Sequence, residues 1–192
     1  MATATTGTRG VPTADEVQAV IAACSPTTRT GLRNRALIMA MWRAGLRPGE
    51  ALGALVPDVH LDEGWMLVQR DSGAREVALD RPCRAAMRRW LEARADMVPG
   101  DPDGVLFCTG AGKPLHASYV RDLLARLAAR AGVGNRVHAL GLRYSLARDL
   151  AAEGVSTEVI EAQLGVGRPE GVGRFLPVPG REELVRTIGA RR

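Results

Sequence analysis

The stretch LIMAMWRAGLRPGEALGALVPD, residues 37–58, decides how the chain is read. An apolar helix runs into Ala44-Gly45, where the glycine reads as a helix stop. Arg47 follows, wedged between Leu46 and Pro48. Pro48 pushes the residue before it out of the α region and sits naturally at the first position of a new helix. Glu50 adds negative charge to that helix's first turn, where the dipole favours it. The spacing therefore holds one arginine in a tight corner between two helices. Two roles fit it: a cation presented to a ligand, or a brace for the corner through Glu50 or loop carbonyls.

Outward from this corner, Thr13-Ala-Asp-Glu16 is a capping box, and Val17, Val20 and Ile21 continue the face of a first helix. Residues 1–12 are small and polar and are expected to be a disordered lead-in. Ser25–Thr28 breaks the first helix, and a second runs to Ala44. A short helix reaches about Leu55. The period then changes. Trp65–Val68 and Glu76–Leu79 are strand-like runs joined by Gln69–Arg75, with Asp71-Ser72-Gly73 as the turn. Val105–Cys108 is expected as a third strand. Asp80 caps a long helix with Met87, Trp90 and Leu91 facing inward. Residues 117–131 form the clearest helix, with Val120, Leu123, Leu124 and Leu127 on one face. Further helices are expected at about 142–153, from the cap Ser156 to Leu164, and over Arg181–Gly189. Gly165–Gly180 holds five glycines and three prolines and suits no helix.

Composition bounds the function. At 192 residues and 46% hydrophobic, the chain has ample material for one domain core. It has neither a membrane-length apolar run nor a signal-peptide core at its start, so a cytoplasmic protein is expected. Cys24, Cys83 and Cys108 are odd in number and far apart, which suits reduced thiols. The three histidines are equally scattered, so no metal or other cofactor is expected. Net charge is +5, and among 26 basic residues Lys113 is the single lysine. Arginine suits bidentate phosphate recognition. A GC-rich coding sequence yields the same bias, so charge admits nucleic acid without selecting it.

Five words occur in order: the helix into Gly-Leu-Arg47-x-x-Glu50, the hairpin ending Arg75-Glu-Val-Ala-Leu79, Leu106-Phe107 with Gly112-Lys113-Pro114-Leu115, Leu142-Arg143-Tyr144-Ser145, and Leu164-Gly165. Together they resemble the catalytic domain of the tyrosine recombinases, the phage-integrase family, over about residues 13–176. The resemblance implies an α+β, mainly helical fold around a small antiparallel sheet of two or three strands. It implies double-stranded DNA as partner. It also implies that residues 177–192, a tail or short helix, are exchanged with a second copy or a related recombinase. The family's separate N-terminal DNA-clamping domain is expected to be missing, since twelve residues cannot form one.

Enzymes of this family attack a phosphodiester with a tyrosine hydroxyl. That chemistry needs an activated nucleophile, cations around the phosphate and an acid for the leaving oxygen. By position, the two family arginines are Arg47 and Arg143, and Arg75 matches the hairpin. The family's hairpin lysine falls on Arg70, which keeps the charge but is a poor proton donor. The histidine three residues before the second arginine falls on Leu140. His138 lies two residues early and can substitute only if Gly141-Leu142 is a local insertion. The next polar helper becomes Val166, and the nucleophile position becomes Phe175, which has no hydroxyl. The expected function is thus DNA binding through Arg47, Arg143, Arg70 and Arg75 without cleavage, as a repressor or accessory factor of a mobile element. The alternatives are an active recombinase with a rearranged or engineered site, and a non-catalytic partner of an active relative.

Overall fold

Capping side chains and apolar periodicity account for the helices of the computed structural model, which describes residues 11–69, 73–166 and 180–191. Arg70, Phe175 and most of the 1–12 and 165–180 segments lie outside those residues. Helix α1 (Ala14–Ala22) opens on the Thr13/Glu16 capping box, with Thr13 N–H donating to Glu16 Oε2 at 2.8 Å. Helix α2 (Arg29–Trp42) is the central element, buried along most of its length from Ala36 to Trp42. It is followed by α3 (Pro48–Gly53) and a single 3₁₀ turn at Val56–Asp58.

The sheet is antiparallel, in the order β1 (Val59–His60), β2 (Trp65–Val68), β3 (Arg75–Ala78). Within the hairpin, Trp65 lies opposite Ala78 and Val68 opposite Arg75. The third strand is thus β1, not Val105–Cys108. Val105 and Cys108 make only isolated bridges, to Leu55 and Pro114. Leu106, Phe107 and Cys108 are buried. Backbone bonds from Leu106 N to Ala54 O (2.7 Å) and from Val56 N to Gly104 O (3.0 Å) hold this run against a loop too short to extend a ladder. The all-apolar pattern reported burial rather than sheet.

Four helices complete the core: α4 (Arg81–Met97), α5 (Ala117–Arg130), α6 (Ala139–Ala152) and α7 (Thr157–Leu164). Helix α4 packs along α2, and Trp90, fully buried, donates its indole N–H to Leu106 O at 2.9 Å. Burying a side chain such as the neighbouring Phe107 contributes about 1.5–3 kcal/mol. Helix α6 begins three residues earlier than its periodicity suggests. The reason is an unusual cap: His138 Nδ1 accepts from Gly141 N–H at 3.1 Å. Helix α7 runs from the Ser156 cap to Gly165, which ends it in the left-handed conformation at φ 59°.

The last helix, α8 (Arg181–Gly189), packs on β3 of its own chain. Leu184 and Ile188 join Ala78, Leu146, Leu150, Val159 and Leu164 in a second apolar cluster. Ion pairs flank it. Arg181 reaches Glu76 at 3.2 Å and lies over the Trp65 ring, while Arg191 makes two 2.7 Å bonds to Glu153. No helix among the described residues is long and apolar enough to cross a membrane.

Candidate functional site

The Arg47 corner is built from the backbone outward. After α2, Gly45 turns the chain with φ +74°, and Leu46 N–H closes back on Ala40 O at 3.1 Å. A Cβ on Gly45 would sit 2.7 Å from Leu164 Cδ2 and 2.9 Å from Leu146 Cδ2, so glycine also permits the close approach of α6 and α7. Arg47 is the extended N-cap of α3 (φ −71°, ψ 154°), and Pro48 follows at the first helical position. Glu50 reaches back from the third position and accepts Arg47 N–H at 2.8 Å.

That carboxylate serves a second cation. Arg75, the first residue of β3, donates NH1 to Glu50 Oε1 and NH2 to Oε2, both at 3.1 Å. The side chains of Glu50 and Arg75 are 7% and 12% exposed, whereas Arg47, 3.7 Å from the same carboxylate, is 43% exposed. Arg47 is the outward cation of this trio. Arg75 is spent on fixing the hairpin to the corner.

Arg143 is buried on α6. Its NH1 donates to Gly45 O, and its NH2 donates to Leu164 O at 2.9 Å. The guanidinium therefore ties the corner to the end of α7, a brace between carbonyls where the resemblance implied a phosphate contact. The structure thus brings Arg47, Arg75 and Arg143 together around Glu50 and Gly45. Leu140 and Tyr144, one turn apart on α6, are 50% and 53% exposed, and Val166 is 43% exposed. Helix α6 runs unbroken through Gly141-Leu142, with His138 as its cap and Leu140 in its first turn. His138 spends Nδ1 on the helix cap. A cleft of about 650 Å3 opens beside the corner, lined by Pro48, Val120, Arg121, Leu124, Arg136 and His138 among others.

Two features of the neighbourhood go beyond the sequence reading: the contacts of Gln163, and the arginine partners of the Asp80 cap. Gln163, fully buried on α7, bonds the backbone of Ala78 and of Ala44. Asp80, also fully buried, caps α4 through Cys83 N–H at 3.0 Å, takes Arg43 Nε at 2.5 Å, and lies 3.7 Å from Arg191. Burial pushes the Asp80 carboxyl above its ordinary range, outweighing Arg43 and Arg191. At Glu153 the balance is reversed, and the hydrogen bonds from Arg191 hold the carboxyl below its ordinary range. Among the described residues, no three His, Cys, Asp or Glu side chains gather where they could hold a metal ion.

The mainly helical domain with its three-stranded antiparallel sheet has the fold of the tyrosine-recombinase catalytic domain. Residues 11–175 match the phage integrase family, and the chain belongs to it. Among its relatives, tyrosine recombinase XerC 2 of Ralstonia nicotianae is 29% identical over 160 residues, covering 82% of this chain and 46% of that protein. Tyrosine recombinase XerD of Pseudomonas aeruginosa is 29% identical over 152 residues, 78% of this chain and 51% of that protein. The chain thus spans about half the length of these relatives. The fold is that of the XerA recombinase crystal structure (TM-score 0.75, 22% identity, 88% of this chain and 58% of that one). It is also that of the XerH site-specific recombinase bound to its difH substrate (TM-score 0.70, 23% identity, 83% and 48%).

Proposed function

We propose that the chain binds double-stranded DNA by a phosphate grip at the Arg47 corner and does not cut the strand, serving as a repressor or accessory factor of a mobile element. One observation carries the reading. The positions where the family resemblance calls for proton-handling groups hold Leu140 and Val166, and both side chains stand in solvent, 50% and 43% exposed. The nucleophile position, Phe175, has no hydroxyl. An exposed leucine or valine at these places neither packs nor moves a proton, so a bound phosphodiester meets a cation but no acid.

The DNA-binding half draws support from solved relatives. XerH is bound to its difH substrate, and the Tn1549 transposon integrase is in complex with a circular intermediate DNA. In this chain the grip depends on preorganisation: Glu50 and Pro48 set the Arg47 backbone, and Arg143 holds Gly45 two residues upstream. A charge-assisted bond from such an arginine to phosphate is worth about 1.5–3 kcal/mol. Counterion release makes the binding salt-dependent. Arg70, outside the described residues, keeps the charge of the family's hairpin lysine and is proposed as a further phosphate contact. Docking on a partner through residues 177–192 would require α8 to leave its own β3, so direct DNA binding is the reading to test first.

The test is binding of duplex DNA from the surrounding genomic region as a function of salt, with Arg47→Ala alongside and each sample run on a denaturing gel. The expected result is binding that Arg47→Ala weakens roughly 10- to 100-fold. The salt slope should fall by about one unit, and no covalent protein–DNA adduct should form. A covalent adduct would instead establish an active recombinase, and absence of binding at low salt would remove DNA as the partner.

A further inference from the structure

We infer that Leu140, Tyr144 and Val166 form an apolar contact for the deoxyribose beside the phosphate held at the Arg47 corner, so that the chain selects DNA over RNA. The inference rests on the DNA-binding reading above. Among the described residues, the large apolar side chains left exposed are Leu55, Leu140, Tyr144 and Val166. All but Leu55 surround one buried guanidinium. Arg143 lies between Leu140 and Tyr144 on α6, and it bonds Gly45 O, two residues before Arg47, and Leu164 O, two residues before Val166. Two residues of extended chain span about 7 Å at most, so Arg47 and Val166 both stay close to Arg143. Leu140 and Tyr144, four residues apart, are neighbours on the helix surface. Pro48, His138 and Ala139 line one cleft, which sets the start of α6 beside the residue that follows Arg47.

A lone exposed leucine needs no explanation, but apolar side chains gathered beside a cation mark a surface that meets a ligand. The ligand must be anionic and apolar within a few ångströms. A nucleic-acid backbone has this alternation, because sugar carbons flank every phosphate. An apolar protein segment fits less well. It would cover the Arg47 cation with only Glu50 to receive it, a carboxylate already shared with Arg75.

The sugar that suits this surface is deoxyribose. Its 2′ carbon carries only hydrogens, which match the methyl groups of Leu140 and Val166 and the ring of Tyr144. In RNA the same carbon carries a hydroxyl, the group by which proteins tell the two backbones apart. Leu140 and Val166 offer that hydroxyl neither donor nor acceptor, and burying it unpaired is unfavourable. The apolar contact also differs from the phosphate grip in its salt response. It releases no counterions, so it adds the same affinity at every ionic strength.

The experiment measures binding of the full chain to duplexes of one random sequence, made as DNA, as RNA, and as RNA with 2′-fluoro sugars. The fluoro duplex keeps the RNA helix shape and lacks the hydroxyl. RNA should bind roughly 5- to 50-fold more weakly than DNA, and the fluoro duplex should recover most of that loss. Leu140→Ser and Tyr144→Ser alter exposed positions, so both variants should fold. Each should weaken DNA binding about three- to tenfold at every salt concentration with the salt slope unchanged, in contrast to Arg47→Ala. The two together should abolish the preference for DNA. Equal affinity for DNA and RNA would overturn the inference alone, as would a fluoro duplex bound as weakly as RNA, which would mean that helix shape decides. Tyr144→Phe keeps the ring, and a loss there as large as with serine would replace the apolar contact with a hydroxyl bond and overturn it too. No affinity for any duplex at low salt would sink the DNA reading and the inference with it.

Discussion

Replacing Gly45 with alanine puts the corner under a defined load. The backbone there has φ +74°, and a non-glycine residue in the left-handed region costs roughly 1–2 kcal/mol. The new methyl would also lie 2.7 Å from Leu164 Cδ2 and 2.9 Å from Leu146 Cδ2. Both leucines are buried, so neither can swing into solvent, and overpacking of this kind costs typically about 1–3 kcal/mol. Together the two effects predict a loss of about 2–5 kcal/mol, measured by urea denaturation with an unchanged m-value. The control is Gly49→Ala, four residues on and inside α3, where a Cβ would meet nothing within 4 Å. That change should stabilise by about 0.5–1 kcal/mol, because alanine is the better helix former. If the two variants have the same stability, the corner is not a strained close approach and the argument for a rigidly placed Arg47 collapses. DNA affinity should fall for Gly45→Ala even at temperatures where the variant is fully folded, since Gly45 O is also the acceptor of Arg143.

Glu50→Gln keeps the shape but removes the charge that Arg75 and Arg47 share. A loss of about 1.5–3 kcal/mol is expected by urea denaturation, and a loss under half of that would mean the carboxylate is not the anchor of the hairpin. The pH dependence of α8 docking follows from Glu153. Its carboxyl is held below the ordinary range in the fold, so its contribution is present above that range and lost as pH falls through the folded value. The stability gap between wild type and Glu153→Gln should therefore shrink on acidification, in thermal melts taken across the acid range. Asp80, raised by burial, has the opposite sign: its contribution is greatest at low pH and declines as pH rises through its folded value. A gap that grew toward low pH would contradict the Arg191–Glu153 assignment. Finally, Phe175→Tyr alone should yield no covalent adduct on a denaturing gel, because Leu140 and Val166 still offer no proton donor. A gel-shifted adduct from the single variant would show that acid catalysis comes from elsewhere.

Where local chemistry punctuates the chain, the fold was legible from the residues. Gly45 and Pro48 delimit the corner, Thr13 and Ser156 cap their helices, and Gly165 stops α7 where its lack of a Cβ permits the left-handed turn. Two kinds of feature escaped. Elements too short or too unusual for periodicity were misplaced: β1 has two residues, and α6 is capped by a histidine ring rather than by a hydroxyl or carboxylate. Long-range polar partnerships were invisible. Gln163 reaches Ala44 across 119 residues, and Arg143 reaches Gly45 across 98. The resemblance gave Arg143 as a phosphate contact. Only its surroundings show two carbonyls against the guanidinium.

That arrangement bears on how such a chain changes over generations. Removing the Arg143 guanidinium would leave the carbonyls of Gly45 and Leu164 without this donor in the interior, so the folded state itself selects for arginine, whatever the protein does with DNA. Leu140 and Val166 are about half exposed, and on the proposed reading packing restrains them less than it restrains Arg143. An arginine surviving at 143 therefore says little about surviving chemistry. On the proposed reading, the exposed positions around it are the ones whose identity tracks activity, and they are where a search for working and silent members of this family should look.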